Sequence, residues 1–194
     1  MKIITVPHPT LRKKSLDVRV IDKKILQFVD QLVLTLAEKS NPSGVGLAAP
    51  QVDKNIRIFC TNLPPGNELE TDEGKSQVNV YINPVITKHS KKITFGPDKN
   101  EPILEGCLSI PSLYGPVPRF ESIELEFDQI INQELKRTKQ HYAFFPARVI
   151  QHELDHLNGV LFTDYSLYYD LPIYQEDEKK RKLIEIDKKM IELF

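Results

Sequence analysis

Cysteine is scarce in this chain. The 194 residues hold two, Cys60 and Cys107, too few for a disulfide framework and suited to a reducing compartment where a thiolate is free to bind metal. A single Cys60 to Cys107 bridge is the competing arrangement. Charge of one sign is not in excess either. The formal net charge of −1 gives no reason to expect direct nucleic-acid binding, which needs a strongly basic face. Internal repeats and low-complexity tracts are absent. No apolar run approaches the length of a membrane span, and the one before Pro7 is too short for a signal peptide. Together these absences suggest a cytoplasmic protein. With 40% hydrophobic and 27% charged residues, the chain can bury one core, so residues 1–194 are expected to form a single domain.

Apolar residues at helical spacing fill residues 22–39, with Asp22 placed to cap the N-terminus and Asn41-Pro42-Ser43-Gly44 to stop the helix. Residues 56–60 and 78–83 are short, β-branched and aromatic, and bounded by turn formers, which predicts strands. Residues 122–129 alternate: Ile123, Leu125 and Phe127 on one side, Glu124, Glu126 and Asp128 on the other. That predicts a strand with one wet face, with a partner strand near residues 135–142. Residues 63–74 turn polar around Pro64-Pro65-Gly66-Asn67, and residues 64–76 are a candidate mobile lid over a cleft. Pro146 suits a helix start and Asn158-Gly159 a helix stop. Residues 176–194 carry acids first, then Lys179-Lys180-Arg181-Lys182, with Leu183, Ile186, Met190 and Leu193 at helical spacing, which predicts a C-terminal amphipathic helix.

The densest chemistry lies between the helix signals at Pro146 and Gly159. His152-Glu153-Leu154-Asp155-His156 places two imidazoles four residues apart, one helical turn, so they stack about 6 Å apart along one face and can chelate one ion. Glu153 lies off that line and is free to act on a water as general base. A helix end with two surface histidines and two acids would carry the same letters.

Catalytic sites of this kind take a third protein ligand and leave a position for water. A metzincin would place that ligand six residues after His156, where this chain has Phe162, which excludes the class. A metallopeptidase of the thermolysin type would take a later glutamate, Glu176 or Glu178. The remaining candidate is Cys107 in Leu104-Glu105-Gly106-Cys107-Leu108-Ser109-Ile110-Pro111, although a lone cysteine is more often a small buried apolar residue.

A third stretch, Gly44-Val45-Gly46-Leu47-Ala48-Ala49-Pro50-Gln51, imitates a dinucleotide fingerprint but follows a helix and runs into Pro50 instead of opening a helix. Gly44 suits a helix C-cap. Gln51 is a carboxamide donor at the end of a small-residue segment, over which an extended peptide could lie closely.

Residues 44–51, 105–111 and 151–159 together resemble the three signature motifs of peptide deformylases, in order and nearly residue for residue. Weaker similarity runs from Pro9-Thr10-Leu11-Arg12-Lys13 to the end of the chain. The resemblance implies an α+β fold, with antiparallel or mixed sheets around the helix that bears His152 and His156. It implies a metal held by Cys107, His152 and His156, with Glu153 as base. The Gln51 amide and the Leu108 backbone N–H would stabilise an oxyanion, and Gly46 would pair with substrate backbone. Ferrous iron is the metal associated with the family, with zinc, nickel or cobalt as substitutes, whereas Cys/His ligation with an open position suggests zinc on chemistry alone. The implied substrate is the N-formyl group on the methionine of newly made proteins, released as formate. A transient ribosome contact through the C-terminal helix is implied as well. Asp155 is a candidate orienting carboxylate, paired with Arg119. The chain departs from many members at Tyr114, where they carry arginine.

Overall fold

The computed structural model describes residues 1–38, 44–63, 78–98, 101–177, 182–192 and 194. The expected lid at residues 64–76 and the stop at residues 41–43 lie outside these. Alternating apolar side chains build two main antiparallel sheets. The larger joins β1 (Gly46–Ala48), β2 (Ile58–Thr61), β3 (Asn79–His89), β8 (Ser122–Ile131) and β9 (Glu134–Ala143) in the order β1-β2-β3-β8-β9. The second runs β11-β10-β6-β5, with β5 at Leu104–Cys107, β6 at Ile110–Pro116, β10 at Tyr174–Asp177 and β11 at Lys182–Glu185. A short pair links β4 (Ile93–Thr94) to β7 (Arg119–Phe120).

The larger sheet is covered on both faces. Helix α1 (Lys23–Ala37) starts where Asp22 accepts the Ile25 N–H at 2.8 Å, as an N-cap should. It packs Val29, Leu32 and Leu36 against Leu47, Ile58, Cys60 and Ile82. Helix α2 (Phe144–Leu157) lays Ala147, Ile150, Leu154 and Leu157 on the other face, against Phe59, Tyr81, Ile123, Leu125, Phe127 and Tyr142. It ends at Gly159, whose φ of 74° is the left-handed conformation open to glycine. The expected alternation in residues 122–129 is present: Ile123, Leu125 and Phe127 are buried and the acids between them are not. The β8–β9 hairpin turns through Asn132 and Gln133, both at positive φ, the geometry a two-residue hairpin favours.

Three expectations fail. Helix α1 ends at Ala37 with Glu38 in the C-cap position, so Gly44 does not cap it. Strand β3 continues six residues past Asn83, because the strand bulges there instead of ending. Asn83 takes a φ of 48° and its side chain bonds the backbone of Val18 and the Asp128 carboxylate, so Pro84 sits at a bulge, where a missing N–H does no harm. The C-terminal amphipathic helix is not formed. Residues 174–177 and 182–185 pair as the β10–β11 hairpin, and β10 adds to β6 through Tyr174 opposite Tyr114 and Gln175 opposite Leu113. The edge of β6 offers backbone partners that outweigh a helical stripe of modest intrinsic preference. A 3-10 turn at Lys188–Ile191 follows, burying Ile191 with Ile173, Phe162 and Leu11. Helix α3 (Phe162–Tyr168), absent from the expectations, packs on this second sheet.

Candidate metal centre and active site

Period-two geometry on β5 puts Glu105 and Cys107 on one face, and helical geometry on α2 presents His152 and His156 toward it. The candidate ligand atoms of Cys107, His152 and His156 lie within 4.8 Å of one another. Cys107 Sγ is 3.2 Å from Nε2 of His156, and both cysteines are free. The competing Cys60 to Cys107 bridge is therefore not formed. Glu176, the alternative third ligand, lies on β10 with an oxygen 3.4 Å from the Tyr114 hydroxyl and is not part of the cluster. Glu178 lies outside the described residues.

The imidazole of His152 is fixed from behind. Its Nδ1 lies 2.9 Å from Oε2 of Glu105, which leaves Nε2 for the cluster. Glu105 is buried and held in turn by a two-pronged contact from Arg119 at 3.0 and 2.8 Å and by Arg148 at 2.8 Å. Burial would raise the pKa of Glu105, but Arg119 reverses this and keeps it far below the ordinary carboxylate range. Arg119 also bonds Asp155 at 2.5 Å and lies over the Tyr165 ring, so the expected Asp155 to Arg119 pair is present. Burial tends to lower the pKa of His152, yet its Cys107 and Glu105 contacts hold it well above the usual value. His156 is held well below by burial and by its neighbour His152. Glu105, Arg148 and Tyr165 carried no expected role. Only Glu105 left a sequence signal, the i, i+2 spacing to Cys107 on a strand.

Glu153 lies on the same helix, 3% exposed, with Oε2 lacking a hydrogen-bond partner. Burial pushes its pKa up to about 7. The backbone of β1 presses on it: a Cβ on Gly46 would come within 2.2 Å of Glu153 Oε1. Gln51 is buried beside Cys107. Its carbonyl oxygen accepts the Ala48 N–H at 2.8 Å, which turns its amide toward Cys107 Sγ at 3.4 Å and Ser109 Oγ at 3.3 Å. The N-terminal segment ties both flanks together, since Ile4 N–H donates to the Gln51 backbone carbonyl and Val6 N–H to that of Ser109. A cysteine sulfur and two imidazoles converging beside a buried carboxyl group with an unpartnered oxygen fit a divalent ion and its water.

The polypeptide deformylase family model matches residues 1–168. The chain belongs to this family. A peptide deformylase of Wolinella succinogenes is 34% identical over 94% of this chain and 97% of its own. Peptide deformylase 2 of a Nostoc species is 41% identical over 84% of each. Among solved structures, a probable peptide deformylase from Synechococcus phage S-SSM7 superposes with a TM-score of 0.70 at 34% identity, covering 85% of this chain and 99% of that one. An Acinetobacter baumannii peptide deformylase solved with Met-Ala-Ser bound gives 0.69 at 27% identity, covering 85% and 97%. Deformylases are metalloenzymes that hydrolyse the formyl group from the N-terminal methionine of nascent peptides. As a deformylase the chain is a hydrolase with an α+β fold. No helix among its described residues is long and apolar enough to cross a membrane.

Proposed function

We propose that residues 1–194 act as one deformylase catalytic domain in which Cys107, His152 and His156 hold a single divalent ion. The carrying observation is the convergence of these three donors within 4.8 Å beside Glu153. An ion held there would supply Lewis-acid polarisation of the formyl oxygen and would lower the pKa of a water toward about 7. Glu153 takes the proton of that water as it attacks the formyl carbon and returns it to the departing amine, a double role suited to a buried carboxyl with a pKa near 7. The Gln51 amide, already aimed at Cys107, and the Leu108 N–H, next to Cys107 in the chain, donate to the oxyanion.

The substrate would bind as an added strand. β1 and β5 each end their sheet, so both leave a backbone edge beside the cluster. Gly46 lies on the first of these edges, and its lack of a side chain allows close approach. The Met-Ala-Ser bound to the Acinetobacter enzyme supports a peptide occupant here. Fe2+ is the proposed metal, with Zn2+, Ni2+ or Co2+ as substitutes. A cytoplasmic setting is proposed with it. A transient ribosome contact is proposed for the C-terminal segment, where β10, β11 and a 3-10 turn stand in place of the expected helix. Anaerobic purification followed by metal counting tests the ligand set. Wild type should carry one ion per chain and release formate from a formyl-methionyl peptide, and Cys107→Ala should lose both. Full metal retention by Cys107→Ala would overturn the ligand set.

A further inference from the structure

The outer side of helix α2 faces a cavity that the proposed chemistry does not use. Gln151, Leu154, Asp155 and Asn158 line it at i, i+3, i+4 and i+7 spacing, a stripe set roughly a third of a turn round the helix from His152 and His156. Opposite them stand Pro84, Val85 and Ile86 at the bulge of β3 and Phe120 at the end of β7. The cavity measures about 280 Å³ and meets solvent beside Val85 and Asn158, both exposed. An apolar cavity of about 150 Å³ holds one benzene, so there is room here for a ring with a polar substituent. Phe120 supplies a flat wall, held by stacking on His89 with ring centroids 3.7 Å apart.

Arg57, in the wall of this cavity, is a cation without a close anion. Its side chain is 12% exposed, and its nearest carboxylate among the described residues, Asp17, is 3.7 Å from Nε and itself 70% exposed. The other contacts of Arg57 are to neutral oxygens: Asn158 Oδ1 at 3.0 Å and the carbonyls of Leu157 at 3.4 Å and Pro84 at 3.1 Å. These use three of the five guanidinium N–H groups. Burial lowers the Arg57 pKa, and Asp17 opposes this only in part. The remaining charges in the wall are already matched, because Asp155 accepts from Arg119 at 2.5 Å and from the Tyr165 hydroxyl at 3.1 Å. A largely buried guanidinium gains most from a carboxylate, which meets its planar fork with two hydrogen bonds. We propose that this cavity is a second ligand site, separate from the substrate path, which takes a small aromatic carboxylic acid with its carboxylate on Arg57 and its ring against Phe120, Pro84 and Ile86.

The probes are benzoate, its neutral counterpart benzamide and its cationic counterpart benzamidinium, three molecules of one shape, titrated into the zinc-loaded protein and followed by amide NMR. Benzoate should bind with a Kd of about 0.1–1 mM, as suits so small a ligand, about tenfold tighter than benzamide and more weakly at high salt. Its shifts should centre on Val85, Ile86 and Asn158. Val85→Trp, which fills the mouth of the cavity and leaves Arg57 in place, should abolish binding. Arg57→Gln should bring benzoate down to the level of benzamide. The charge series is read on wild type and so stands if either variant fails to fold. Equal affinity for benzoate and benzamidinium, binding that survives Val85→Trp, or no saturable binding of benzoate would overturn the site. Shifts centred on Gly46 and Cys107 would put the acid on the metal and overturn it equally.

Discussion

A methyl group on Gly46 would lie 2.2 Å from Oε1 of Glu153, so the backbone of β1 seats the carboxylate of α2 directly. Gly46→Ala must push Glu153 aside or open β1. Displacing a catalytic group by about 1 Å can cost about 10²-fold. The variant is expected to keep its metal while kcat falls by about that factor, measured as formate release at saturating substrate. Unchanged kcat would show that Glu153 tolerates displacement.

Glu105 orients His152 while neutralising Arg119 and Arg148. Glu105→Gln removes the carboxylate that fixes the imidazole and leaves Arg148 buried without its ion-pair partner. Loss of such an orienting group typically weakens metal affinity about 10–100-fold, and breaking a buried ion pair costs about 3–5 kcal/mol. Competition with a chelator and urea unfolding of the metal-free protein measure the two effects separately.

The sequence carried some of this and not the rest, for definable reasons. The strand at residues 122–131 and helix α1 were legible because each buries one face against a sheet and so must show the matching period. His152, Glu153 and His156 were legible as candidates because their spacing on a helix face is itself the chemistry, whereas Cys107 came forward only through the resemblance to deformylases, since a lone cysteine has no spacing to mark it. The C-terminal hairpin was not, because residues 174–185 take their form from the edge of β6, a partner more than fifty positions away. The Gly46 to Glu153 contact was hidden for the same reason. It joins elements more than a hundred residues apart through the absence of a side chain.

Gln51 has two separable ends. Its oxygen holds the Ala48 N–H, and its amide faces Cys107. Gln51→Glu keeps the acceptor and removes the donor. kcat should fall about 10²–10³-fold, the usual loss for an oxyanion donor, with the circular dichroism spectrum unchanged. Activity near wild type would remove Gln51 from the reaction.

The two thiols should differ sharply. Cys60 is fully buried, and burial, with Glu153 nearby, pushes its thiol well above the ordinary range, so little reactive thiolate forms. Cys107 is half-buried at the cluster. After metal removal, iodoacetamide should label Cys107 and spare Cys60 until denaturant is added, and bound metal should protect Cys107. Peptide mapping by mass spectrometry checks both. Labelling of Cys60 first would contradict the packing.

The central claim is that Glu153 moves the proton for a metal held by Cys107, His152 and His156. It is tested most directly by formate release from a formyl-methionyl peptide, with wild type and Glu153→Ala compared at equal measured metal content. Because general acid–base catalysis supplies about 10²–10⁴-fold, Glu153→Ala should bind the ion fully and lose activity by at least the lower figure. A fully loaded Glu153→Ala protein as active as wild type would contradict the account.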